Sequence, residues 1–569
     1  MKPNNALLRT PRTRRRRGLT FGVEKHMRRL KNNLPFLVGS LILVVGLYWI
    51  IADSVRENNG HLVYTLDDPY IHMSIAKNLA THGVFGVTRF EFSSSTSSPL
   101  WTLLLALSYR IIGVKDWLPG LFAAFFALAT LYQTQSLTRL MGVRLWAQLL
   151  TVLLVAYFTP MIALVSTGME HAMHAFFASS LLAATLSFTL HPTRRTLAWL
   201  CTNAFLAVAA RYESGFLVAP LAVLLLCRKQ WRPAVALTAT AILPILAYGA
   251  VSLWNGSFLL PNSLMLKGHF PQIEGLKSFI LAVGYYGFGR LTATNHLFVL
   301  SLLLLLGATR RHSDNLLPLV ALAICASLLM HLQLASLGWF YRYEAYLVAI
   351  SLPVITALYL RDLSLSAAAA LARKRMLATL ALLGCIVLVC GPLHRRAKES
   401  LENVARASNH IYRQQFHMGQ FIKQEYAPGV SVALNDLGAV SYFADAKIVD
   451  LWGLGTIEVA RAKRRGDYNT ATIHQLVTTR QVDVVMVYTN WFKGDHALPD
   501  DLIHVADWTT TSNYFGKTVS FLALSQEKSA ELGERLRRYE ANLPPSVEVE
   551  YEITEQSPAG DVLKAAPEE

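Results

Sequence analysis

The sequence predicts an α-helical polytopic membrane protein with a small α/β domain at its carboxyl end. Three observations carry that expectation. Hydrophobic residues make up 53% of the chain and charged residues only 16%, too little charge to solvate a water-soluble protein of this length. The apolar residues fall in runs of roughly 15–22, close to the ~20 that a helix needs to cross a bilayer. After Leu393 the texture changes to short β-branched runs broken by Gly, Asp and Asn, as in strands that alternate with helices.

The first run, Leu34–Ala52, is longer than the ~7–15-residue core of a signal peptide, and no small-x-small cleavage site follows it. It reads as a membrane helix whose amino end is held in the cytoplasm by Arg12, Arg14–Arg17, Arg28, Arg29 and Lys31. Residues 1–33 are then a basic cytoplasmic tail, and the loop 53–98 emerges on the outer side. Further runs lie near 99–113, 117–138, 145–166, 169–190, 196–211, 214–227, 233–254, 295–308, 316–332, 341–360 and 375–393. Basic loops at Arg194/Arg195, Arg228/Lys229/Arg232, Arg310/Arg311 and Arg373/Lys374/Arg375 belong in the cytoplasm. Alternation between them puts 167–170, 212–213, 255–294, 333–342 and everything after 393 outside.

A cytoplasmic start and an external end require an odd number of crossings, so about eleven transmembrane helices are expected. The stretch 99–166 holds the exception, because Arg139 and Arg144 break the alternation there. The expected domains are the membrane domain 34–393, an extracytoplasmic α/β domain 394–548 and a disordered tail 549–569. Within the second, 400–425 reads as helix, and Val430–Leu434, Lys447–Leu451 and Val482–Tyr488 read as strands.

The net charge of +16 does not imply nucleic acid. The basic residues sit in the amino tail and in short loops, which fits membrane orientation and contact with anionic lipid. The five cysteines lie inside apolar runs with no CxxC spacing, so neither a disulfide framework nor a cysteine metal site is indicated.

The loop 53–98 is the most informative segment. Asp67 and Asp68 precede Pro69 at the start of an amphipathic stretch, where Asp68 is placed to cap the helix that follows. Ile71, Ile75 and Leu79 share one face, as in a helix lying along a membrane surface. A cap uses one carboxylate. The second points to chemistry, with one aspartate as general base for an acceptor hydroxyl and the other positioning substrate. Asp68 and His72, four apart, have a spacing that can hold a divalent ion, but no metal or other cofactor is expected. Glu170 and His171 stand at an outer membrane edge, where a carboxylate is costly without a wet cavity or a partner. Sugar contact and helix packing both fit them. Arg211 and Glu213 are close enough to pair with each other, and Arg342 and Glu344 lie in the aromatic run GWFYRYEAY.

The DD dipeptide after the first span and the polar SSSTSSPLW entry to the next apolar run resemble the GT-C superfamily of polyprenyl-phosphate-sugar-dependent glycosyltransferases. TGMEHAMHAF (167–176), RYESG (211–215), LPNSLMLKG (260–268) and NDLGAVSYFADAKIVDLWGLGT (435–456) extend the likeness over most of residues 60–460. Within the superfamily the sequence is most similar to the arabinofuranosyltransferase group that builds mycobacterial cell-wall arabinan, and to its bacterial relatives. The resemblance implies an inverting transfer of a sugar, arabinofuranose in that group, from a polyprenyl-phosphate donor to an extracytoplasmic glycan, lipid or protein at the plasma (inner) membrane. It implies Asp68, with Asp67, as the catalytic residues. Lys267, His269 and Arg342, on outer segments, are expected to meet the leaving phosphate, with Glu170, His171 and Asn262 as further substrate contacts. Two alternatives stand beside it. One is a GT-C enzyme using another donor, such as mannose or an aminoarabinose. The other is a transporter or flippase of lipid-linked or polar substrates, although the internal repeat common in transporters is not evident in the sequence.

Overall fold

The computed structural model describes residues 12–267, 276–281, 284, 289–290, 294–310, 315–338, 340–364, 366, 376–510 and 517–552. The chain divides into two compact units, Met1–Ile411 and Tyr412–Glu569.

The first unit is helical. Its elements are α1 (Arg12–Glu57), α2 (Asp68–His82), α3 (Pro99–Ile112), α4 (Leu118–Leu140), α5 (Leu145–Phe158), α6 (Met161–Ser166), α7 (His171–Leu190), α8 (Arg194–Ala210), α9 (Gly215–Cys227) and α10 (Trp231–Trp254). They continue with α11 (Asn262–Lys267), α12 (Asn295–Ala308), α13 (Leu316–Leu334), α14 (Ala345–Leu360) and α15 (Met376–Glu402). Among the described residues four helices are long and apolar enough to cross a membrane: Lys31–Glu57, His171–Leu190, Trp231–Trp254 and Leu316–Leu334. Shorter apolar helices stand among them. Large apolar side chains face outward from α1, α3 and α10, with Leu41 65%, Ile111 72% and Trp254 90% exposed. So broad an apolar surface marks contact with lipid rather than water. The centre is dry and close-packed. In α7, Ala172, Ala175, Ala178 and Ala184 are fully buried, small residues that let neighbouring helices approach.

Two sets of contacts define the ends of this bundle. At one end the Tyr64 hydroxyl donates to the Asp116 carbonyl (2.7 Å) and accepts from the Gly120 amide (2.9 Å), and the Asn58 amide donates to Ser408 (2.8 Å). At the other end the Phe36 amide donates to Gln135 (2.9 Å) and Arg139 donates to the Asn32 carbonyl (2.7 Å). The helix α4 therefore runs from the Tyr64 end to the Asn32 end. Its predecessor α3 begins beside α2 at the Tyr64 end, where Thr102 bonds His72. It stops four residues before Asp116, a reach of at most ~14 Å. Both ends of α3 thus lie at the same end of the bundle, and α3 does not cross. With α3 set aside, eleven of the twelve apolar runs expected from the sequence remain as candidate crossings, in keeping with the odd number that the charge pattern requires. Arg139 and Arg144 thus lie at the Asn32 end, where Arg361 packs against Gly142.

The helix α2 does not lie on a surface as its apolar stripe suggests. Pro69 through Ala76 are buried without a break, because α3 folds back over it. Nor does Asp68 cap it. Asp67 is the N-cap residue and makes no side-chain cap bond, while Asp68 is the first helical residue.

The second unit holds a six-stranded sheet of order β2-β1-β3-β5-β4-β6, with β1 (Ser431–Leu434), β2 (Lys447–Asp450), β3 (Val484–Val487), β4 (Ile503–Thr510), β5 (Thr518–Ala523) and β6 (Val547–Tyr551). β1 pairs in parallel with both β2 and β3, and the rest of the sheet is antiparallel. The first three strands coincide with the expected runs. β4, β5 and β6 are additional, and β6 carries ordered structure three residues past the expected end of the domain at 548. Residues 553–569 lie outside the described residues. Between 400 and 425 the chain is helical, with a π-helical turn at Tyr412–Phe416.

Candidate active site

At the Tyr64 end of the bundle, four segments far apart in sequence meet: the start of α2, the start of α7, the turn between α8 and α9, and the segment before α14. Arg342, 3% exposed, donates through its NH2 to Asp68 Oδ2 and to the Tyr343 hydroxyl (3.0 Å), and through NH1 to Met169 Sδ (3.3 Å). The Asp68 side chain keeps 26% of its surface open. As the first residue of α2 it also lies where a helix favours negative charge.

The segment that presents Arg342 is strained and clamped. Phe340 and Tyr341 both adopt left-handed backbone angles, φ 61° and 52°, which bulky residues rarely take. Arg396, fully buried, holds them by donating to the Tyr341 carbonyl (2.8 Å) and the Phe158 carbonyl (2.7 Å). Glu344 lies against Arg396 (3.8 Å) and His296 (3.3 Å).

A second set of charges lies beside the first. Arg211 pairs with Glu170 and also with Glu213, donating through Nε to Glu213 Oε2 (3.2 Å). Glu170 accepts from Ser97 (3.0 Å) and faces His72 Nε2 at 3.5 Å. On its other side His72 Nδ1 bonds Thr96 and Thr102, each at 3.1 Å. The Tyr343 ring joins the two sets, with Arg342 4.9 Å and Arg211 5.5 Å from its centroid. His171 packs edge-on against the same ring (5.7 Å), buried, and neither of its ring nitrogens has a hydrogen-bond partner among the described residues.

The structure thus gathers Asp68, Arg342, Glu170 and His171 into one neighbourhood, together with Arg211 and Glu213. Asp67 is buried directly before Asp68. Asn262 stands apart, its amide donating to the Ser94 carbonyl (2.8 Å) in the SSSTSS segment, next to Tyr248 and Ser252. His269 lies outside the described residues, as does the side chain of Lys267, the last residue of α11. Asp68 and His72 do not converge on a shared position, since one turns to Arg342 and the other to Glu170. Among the described residues no group of three or more His, Cys, Asp or Glu side chains is placed to hold a metal ion. Sequence reasoning missed Ser97, Tyr343 and Arg396. The first two lie within segments already singled out for their composition, whereas Arg396 sits in HRRAKES and reads as one more basic-loop residue.

Residues 407–528 match a family described as a domain of unknown function, DUF8728. No curated protein matches the chain. Among solved structures the chain is similar to ArnT from Cupriavidus metallidurans bound to undecaprenyl phosphate, at 13% identity and TM-score 0.49, covering 86% of this chain and 98% of that one. The apo state of the same protein gives 13% identity, a TM-score of 0.48 and the same coverage. The arabinofuranosyltransferase AftD from mycobacteria is similar at 12% identity and TM-score 0.44, covering 85% of this chain and 41% of that one. Likeness at these identities and scores says nothing of activity.

Proposed function

We propose that the chain is a GT-C-type glycosyltransferase that moves a sugar from a polyprenyl-phosphate donor to an acceptor hydroxyl outside the cytoplasm. One observation carries the reading: Asp68 is a partly open carboxylate gripped by a buried guanidinium, Arg342, at one end of a bundle whose outer surface is apolar. Charges in such a bundle are expensive to keep and cluster where a polar substrate is handled. Here the arginine is sealed while the carboxylate stays partly open.

The chemistry follows from the pair. The acceptor oxygen forms a bond to the anomeric carbon while the bond from that carbon to the phosphate oxygen breaks. The acceptor proton passes to the Asp68 carboxylate, and the electron pair leaves with the polyprenyl phosphate. One displacement inverts the configuration and needs one base, unlike the two carboxylates of glycoside hydrolysis. Arg342 and, from the Asn262–His269 segment, Lys267 and His269 supply positive charge for the departing phosphate. Glu170 and His171 contact the sugar, and Asp67 orients the acceptor. Arabinofuranose is the donor sugar that the sequence motifs favour. The basic residues Arg139 and Arg144 at the Asn32 end support a cytoplasmic placing of that end, with the site on the outer face of the plasma membrane.

The test is sugar transfer from a purified polyprenyl-phosphate donor by the protein in lipid nanodiscs, with donor binding measured on the same preparations. Asp68→Asn keeps the shape and removes the base, so turnover falls by about 10²–10⁴ while donor binding persists. Turnover near the wild-type rate in that variant sinks the assignment.

A further inference from the structure

The sheet unit carries a second polar cluster that the transfer step does not use. Because β1, β2 and β3 are parallel, Leu434, Asp450 and Val487 all end on one edge of the sheet. The chain leaves β1 toward β2 on one side and places β3 on the other. In open α/β sheets the loops diverge at such a reversal and leave a crevice outside the carboxyl ends of the strands, where ligands bind.

The residues at this crevice are incompletely paired. Asn435, which follows β1, accepts the Tyr488 amide on Oδ1 (3.0 Å). Gln415 donates through Nε2 to the Tyr488 hydroxyl and to Asp436, both at 2.8 Å. That leaves Asn435 Nδ2, a donor, and Gln415 Oε1, an acceptor, buried without partners among the described residues, on residues only 3% and 2% exposed. Buried polar groups are nearly always paired, and an orphan calls for an explanation. A donor and an acceptor left over on either side of Tyr488 match a hydroxyl, which gives one hydrogen bond and takes others.

An aromatic wall stands next to them. Trp491, 36% exposed, stacks on Tyr488 (centroids 6.2 Å, 26° between planes) and meets Trp452 at 4.8 Å. Trp452 is fixed in advance. The Asp450 carboxylate accepts its amide (2.7 Å) and that of Gly455 (2.6 Å), and Lys463 lies 3.5 Å over its ring. A flat apolar ring beside unsatisfied polar atoms suits a ligand with a C–H face and a rim of hydroxyls.

We propose that this crevice binds an uncharged saccharide unit. Its role as the seat of the acceptor glycan rests on the transferase reading above, but the saccharide site itself does not.

The experiment measures binding of neutral arabino-, manno- and gluco-oligosaccharides to the full-length protein in nanodiscs, by saturation-transfer NMR and tryptophan fluorescence. Asn435→Asp keeps the acceptor for the Tyr488 amide and turns the orphaned donor into a carboxylate oxygen, at a cost in stability because the side chain is buried. Trp491→Ala removes an exposed ring. The expected result is that at least one oligosaccharide series binds, that either substitution weakens it tenfold or more, that the melting temperature of Trp491→Ala stays the same, and that donor-lipid affinity is unchanged in both. No binding by any series, or binding indifferent to either substitution, overturns the site. Loss of the site with transfer still sensitive to Asp68→Asn leaves the transferase reading standing. Saccharide binding in a protein whose turnover ignores Asp68 does the reverse.

Discussion

Arg342 and Asp68, 274 residues apart in sequence, form an ion pair in which the guanidinium is sealed and the carboxylate is left partly open. The asymmetry decides which partner meets substrate. Arg342 is spent on Asp68, the Tyr343 hydroxyl and Met169, so its first task is to hold the carboxylate in place.

If that is its task, the two residues act as a unit and their substitutions are not additive. Arg342→Met alone leaves a half-buried carboxylate without its cation and costs at least the ~1.5–3 kcal/mol of one charge-assisted hydrogen bond, about ten- to a hundredfold in turnover. Asp68→Asn costs more. The double variant is expected to be no slower than Asp68→Asn. Turnover in the four proteins of this cycle measures the coupling. Full additivity would show that Arg342 acts only on the donor phosphate and not through Asp68.

The second charge cluster, beyond the sugar contact proposed for Glu170, also bears on stability. Arg211 neutralises Glu170 and Glu213, and all three are largely sealed from solvent. Arg211→Met strands two buried carboxylates, and breaking a buried pair from one side costs about 3–5 kcal/mol. A marked drop in melting temperature or in folded yield in detergent is the expected outcome. Adding Glu170→Gln to Arg211→Met removes one stranded charge and restores part of the loss. If Arg211→Met melts like the wild type, the cluster is not a structural clamp.

Local signals made much of this legible, and long-range ones did not. The segments around Asp67–Asp68, Glu170–His171, Arg211–Glu213 and Arg342 all stand out as charges at the ends of apolar runs, because a charge there needs a reason. Which of them meet is set by helix packing, and nothing in the local sequence pairs Asp68 with Arg342 or Glu170 with Arg211. The helix α2 carries the stripe of a surface helix, yet α3 covers its outer face. Of the strands, β1 and β3 are buried along their whole length and read as short, mostly apolar runs. β6, with the sequence VEVEY, alternates with an acidic face, and with EQSPAGD following it reads as a tail.

The placing of α3 predicts a labelling pattern. Glu91 and Lys115 flank α3 and are both exposed, and if α3 does not cross, both lie on the same side of the membrane. Single cysteines at these two positions, in a background without the native ones, should react with an impermeant thiol reagent in intact cells lacking an outer barrier. A cysteine at Arg144, at the Asn32 end, should react only after lysis. Opposite labelling of the Glu91 and Lys115 positions restores α3 as a crossing helix. Labelling of both only after lysis inverts the whole protein and removes the site from the outer face.

The last prediction concerns pH and the edge of the sheet. His504 and Asp507 are three apart on β4, a spacing that in a regular strand points side chains to opposite faces. A register shift between His504 and Ala506 brings them together. His504 Nε2 then meets Asp507 (2.8 Å), and Nδ1 meets Glu552 just after β6 (2.9 Å). The hydrogen bond to Asp507 is the main reason the imidazole is held above its ordinary range, and the bond to Glu552 adds to it. Asp507 is held low against its own burial by the bond from His504 and another from Ser520. The signs follow from linkage. The histidine contribution is fully present below its unfolded value of about 6.5 and is lost as pH rises through the raised folded value. The aspartate contribution is present above about 3.9 and is lost as pH falls through the depressed folded value. The edge formed by β4 and β6 is therefore firmest between those limits. With His504 about a third exposed, solvent screens the pair and the whole effect stays within about 1 kcal/mol. Native-state hydrogen exchange of the β4 and β6 amides, corrected for intrinsic rates, should show protection falling as pH rises above about 6.5 in the wild type and staying level in His504→Gln. An equal fall in both proteins would place the titrating group elsewhere.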